Sequence, residues 1–114
     1  MTINEIKSSF SALSTNEQER VLSVLAHQLT VYARDAYEEI GEGGEGAIKL
    51  RAFNEVLHNV TGQLAAMLRN NDKRYPDDVF IDIVFETAQE GRCEDDVIQA
   101  VAFVFKYGLY NPAT

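Results

Sequence analysis

The sequence predicts an all-α fold, a small antiparallel bundle of four to five helices, on three observations. Two long segments carry apolar residues at alternating three- and four-residue spacing, a short Gly-rich stretch separates them, and the later apolar runs are flanked by groups that favour helix ends. At 114 residues and 46% hydrophobic content the chain is expected to be one domain, residues 1–114, with a core large enough to need no disulfide or metal staple.

A first short helix is predicted from Thr2 to about Leu13, because Ile3, Ile6, Phe10 and Leu13 fall on one face. The polar break Ser14–Gln18 offers a capping box in Thr15 and Gln18, after which a long helix runs to about Ile40 with the seam Leu22, Leu25, Leu29, Tyr32, Ala36. Residues Gly41–Gly46 read as a turn. The third helix, about Ala47 to Asn70, has the seam Leu50, Phe53, Leu57, Val60, Leu64, Met67. Its length and short connection predict an antiparallel hairpin with the second helix.

Residues Val79–Phe85 and Ile98–Phe105 are β-branched and aromatic, so a C-terminal β-hairpin, and with it an α+β fold, competes with two further helices. The helical reading is preferred. Pro76 stands at a natural first helical position with Asp77 and Asp78 behind it, Gly91 is a terminator, and Glu94, Asp95 and Asp96 suit the start of another helix. In that geometry Asp82, Glu86 and Gln89 or Glu90 form a narrow polar stripe on an otherwise apolar helix. The tail from Gly108 to Thr114 reads as extended.

Charge narrows the function classes. The net charge is −8, and residues 76–114 hold eight acidic against two basic groups. Such a chain lacks the basic face that nucleic acid or anionic lipid requires, so neither is an expected partner. No apolar run of membrane-spanning length exists, and Glu5 and Lys7 interrupt the N-terminal stretch, so the expected compartment is the cytoplasm. The lone cysteine, Cys93, fits a reducing environment.

Several motifs carry less chemistry than their letters suggest. Gly41, Gly43 and Gly46 match G-x-G-x-x-G, but the stretch follows a helix and sets Glu42 and Glu45 where phosphate would lie. Glu55 and His58 form one E-x-x-H, whereas a di-metal bundle site needs two copies with further inward glutamates. The seam places Glu55 on the solvent side and His58 at the flank, beside a polar track of Asn54 and Thr61. Cys93 precedes a helix start, yet three acidic neighbours disfavour its thiolate. Asn59–Thr61 is a sequon in mid-helix. No metal, cofactor or catalytic residue is therefore expected.

The expected function is that of a small acidic protein-binding module, of the immunity or inhibitor type, that masks a basic partner surface. Its candidate partner-binding residues are Asp77, Asp78, Asp82, Glu86, Glu94, Asp95 and Asp96. The alternative is a self-associating structural or regulatory bundle. It is motivated by the many large apolar residues between Val79 and Phe105, which either form the centre of the fold or leave a face for a homodimer.

Overall fold

The computed structural model describes residues 1–39, 44–70 and 73–108. They form an all-α bundle: α1 (Ile3–Ser11), α2 (Thr15–Glu39), α3 (Gly44–Leu68), α4 (Asp77–Glu90) and α5 (Glu94–Phe103), which continues as a π-helical turn, Val104–Gly108. No strand occurs among the described residues, so the competing hairpin reading is set aside. Burial supplies the reason: Phe80, Ile81, Val84, Phe85 and Ala88 share one face at helical spacing, which an extended backbone would divide between two faces.

The chain termini of the helices are fixed locally. The Thr2 hydroxyl caps α1 by accepting the Glu5 N–H at 3.1 Å. The box that opens α2 lies one residue earlier than the sequence suggests. Ser14 Oγ accepts the Glu17 N–H at 3.2 Å, and the Glu17 carboxylate accepts the Ser14 N–H at 3.0 Å. Gln18 is left for other work. Likewise Pro76 is the residue before the first turn of α4 rather than its first helical residue. Helix α3 begins at Gly44, ahead of the predicted Ala47, so Gly44–Gly46 belong to a helix and not to a turn. Residues 40–43, which carry the first two glycines of the G-x-G-x-x-G match, lie outside the described residues, as do 109–114 of the predicted extended tail.

Helices α2 and α3 form the long hairpin, with Tyr32 and Phe53 stacked across it at 5.8 Å between ring centroids. The seam predicted for α3 is one flank of the buried face. Phe53, Val60 and Met67 are buried, whereas Leu50, Leu57 and Leu64 are half-buried and Ala52, Val56, Gln63 and Ala66 complete the face. The cause is a second neighbour: α3 packs against α4 as well as α2. Helix α4 is central, with α1, α3 and α5 around it. Most of the apolar surplus between Val79 and Phe105 is absorbed there, and only Val79 and Phe103 of that set are exposed.

Two buried glutamines place α4. Gln18 Nε2 donates to the Phe10 carbonyl at 2.9 Å and to Asp77 Oδ2 at 3.0 Å, while its Oε1 accepts from Arg74 at 3.1 Å. Gln63 clamps the backbone of Tyr75 from both sides, donating to its carbonyl at 2.8 Å and accepting its N–H at 3.0 Å. These two are the buried polar side chains among the described residues, and each is fully used.

The α4–α5 turn is a Schellman motif. The Cys93 N–H reaches the Ala88 carbonyl at 2.9 Å and the Arg92 N–H reaches that of Gln89 at 3.1 Å. The left-handed residue is Arg92, at φ 57°, rather than Gly91. Gly91 answers a different need, since a β-carbon there would lie 2.1 Å from Ala52 Cβ.

Candidate functional site

On α4 the apolar face packs inward, which forces the remaining positions outward. Asp78, Asp82, Glu86 and Glu90 are all exposed and four residues apart, so they stack on successive turns over about 18 Å of helix. Neighbouring like charges at this spacing repel. The stripe read from the sequence as Asp82, Glu86 and Gln89 or Glu90 thus extends one turn toward the N-terminus. Glu90 was not among the candidate partner-binding residues, although its four-residue spacing from Glu86 was the available signal.

The seven candidate carboxylates do not form one cluster. Asp77 is half-buried and engaged by Gln18, with Arg74 Nη2 at 3.7 Å. Asp82 takes an ion pair from Lys7 of α1 at 2.6 Å. Asp78 Oδ1 accepts the Val79 N–H at 2.9 Å. Glu94, Asp95 and Asp96 occupy the first turn of α5, where no side chain caps the helix and their charges face its amide dipoles instead. The first turn of α4 and that of α5 are separated by the length of α4, roughly 20 Å. Of the three α5 residues only Asp95 is fully exposed.

Cys93 is buried, and its thiol is pushed up to about 11, first by burial and then by the Asp96 carboxylate. Its Sγ lies 3.5 Å from the Ala88 carbonyl, as a donor. A protonated, enclosed thiol is no nucleophile. His27 and His58 are exposed on different helices, α2 and α3.

Glu55 and His58 stand on the wall of a groove of about 680 Å³ between α3 and α4. Glu55 is exposed, as the sequence predicts, and is paired with Arg51 at 3.4 Å. Across the groove Asn59 Nδ2 donates to Thr87 Oγ1 at 3.4 Å, while the Thr87 hydroxyl donates to the Ile83 carbonyl at 2.9 Å. A second depression of about 330 Å³ continues it toward Ile48, Glu90 and Gly91. None of the seven candidate carboxylates lines either one. Among the described residues no three potential metal ligands converge.

No family model, curated protein or solved structure matches this chain.

No helix among the described residues is long and apolar enough to cross a membrane. The described surface offers two features of different kinds. One is the single-sign stripe on α4, and the other is the groove with its mixed lining.

Proposed function

We propose that the chain is an acidic protein-binding module without catalytic activity, which covers a basic surface of its partner as an immunity-type inhibitor does. The observation that carries this reading is the α4 stripe, Asp78, Asp82, Glu86 and Glu90, exposed and one turn apart. Each adjacent pair costs about 0.2–0.5 kcal/mol, which Lys7 offsets at Asp82 and the helix dipole at Asp78, while Glu86 and Glu90 stand outside the first turn of α4. A partner presenting lysines or arginines removes the cost and adds attraction. The Lys7–Asp82 pair at 2.6 Å illustrates the kind of contact such a partner would multiply. With a net charge of −8, encounter with a basic surface is accelerated at low ionic strength. Asp95 and the other α5 carboxylates extend the field beyond the end of α4. The lone thiol suits work in the cytoplasm.

The test immobilises the chain, captures partners from extract at low salt, and then titrates the purified partner against wild type and a Glu86→Lys, Glu90→Lys double variant. Affinity is expected to fall steeply with salt and to collapse in the variant. Binding indifferent to both would overturn the reading. The competing one, self-association, rests on the exposed pair Phe103 and Tyr107, whose rings lie 5.0 Å apart. It predicts a sedimentation coefficient that rises with concentration and a return to monomer in Phe103→Ser.

A further inference from the structure

We propose that the groove between α3 and α4 binds an uncharged planar heterocycle, of the size of a nucleobase with its sugar. Its volume, about 680 Å³, lies within the range of small-molecule sites. Leu50 and Ile83, both half-buried, line it with aliphatic surface suited to the face of a ring. Around them stand Asn54, His58 and Asn59, two carboxamides and an imidazole.

These polar groups have capacity to spare. Among the described residues the side chains of Asn54 and His58 make no hydrogen bond or ion pair, and Asn59 uses only its Nδ2, toward Thr87. Water satisfies them until a ligand takes its place. Carboxamides and imidazole offer donors and acceptors close together in a plane, which matches ring edges where donors and acceptors alternate. Asn54 and His58 are four residues apart on α3, so they present these groups on adjacent turns of one wall. The Asn59–Thr87 bond joins that wall to α4, so the groove exists before any ligand arrives.

Charge selects a neutral ligand. The groove's ionised groups, Arg51 and Glu55, are paired with each other. The rest of the chain, at −8 overall, repels anions from solution. A nucleoside fits this description, whereas a nucleotide carries the phosphate that the surrounding field disfavours.

The experiment is a titration of the full chain, followed by amide chemical shifts, with adenosine, guanosine and adenosine monophosphate. Saturable shifts confined to residues 50–59 and 83–87 are expected with at least one nucleoside, and binding of the monophosphate should be about tenfold weaker. Asn54→Ala with His58→Ala should weaken nucleoside binding by about tenfold or more, with an unchanged melting temperature because both side chains are exposed. The absence of saturable shifts with both nucleosides would overturn the proposal. So would undiminished binding to the double variant, or tighter binding of the monophosphate, which would indicate an anion held by Arg51.

Discussion

At Gly91 and Arg92 the demands of a helix stop are divided between two residues. Gly91 keeps an ordinary φ of −89° and is small because Ala52 of α3 faces it, whereas Arg92 adopts the left-handed conformation that glycine usually fills. Gly91→Ala should therefore destabilise the fold by about 1–3 kcal/mol through overpacking. Arg92→Gly should stabilise it by about 0.5–1 kcal/mol, the left-handed penalty less the entropy of an added glycine. Chemical denaturation of both variants checks the opposite signs. The next residue, Cys93, holds its proton to about pH 11 in the fold but only to about 9 when unfolded. Its contribution to stability is whole below pH 9 and is lost as pH climbs from 9 toward 11. Alkylation by iodoacetamide at pH 8 is accordingly expected to be slow in the native chain and rapid in denaturant. From the sequence, Gly91 was legible as a terminator, but its contact with Ala52 was not. That contact joins residues of two helices, and no local pattern encodes it.

Among the elements, α2 and α4 show how much a helix start depends on groups outside the helix. The Ser14 N–H and hydroxyl hold the Glu17 carboxyl below its ordinary value of 4.5. The resulting stability is present above pH 4.5 and is lost as pH falls through the lowered value. Glu17→Gln should flatten that acid limb in pH-dependent melting curves. For α4 the determinant is Gln63, whose loss in Gln63→Leu should cost about 1–3 kcal/mol by releasing the Tyr75 N–H and carbonyl. The amide of Tyr75, in a loop, should then lose its protection from hydrogen exchange. Helix identity was legible because apolar periodicity and acidic first turns agreed over Val79–Phe85. The sequence pattern marks only one flank of the buried face of α3, since a stripe seen by one neighbour looks the same in sequence as the edge of a face seen by two. By sequence position Gln18 fits one half of a capping box. Its burial beneath α1 and α4 depends on contacts with Phe10, Arg74 and Asp77 that only the fold creates.

For the whole molecule, the acidic imbalance of the C-terminal third translates into a surface stripe with a built-in conflict between stability and binding. Glu86→Lys would turn two repulsive pairs, with Asp82 and Glu90, into attractive ones. The melting temperature should rise, by an amount equivalent to about 1–2 kcal/mol, while affinity for a basic partner falls. A variant that lost both would contradict the proposed role. The stripe was partly legible because period and charge coincide on one helix, whereas the groove was not, since its walls come from residues about thirty positions apart such as Asn59 and Thr87. The order of packing along the chain has one more consequence, for synthesis. Helix α1 is the first of the five to leave the ribosome, yet its principal neighbour is α4, and Phe10 meets Phe80 only at the end of a long wait, 6.0 Å apart in the finished fold. At ordinary elongation rates of about 5–20 residues per second the interval lasts several seconds. During that time the face of Ile6 and Phe10 that α4 will cover stays open on the nascent chain, available to a chaperone or to a neighbouring chain.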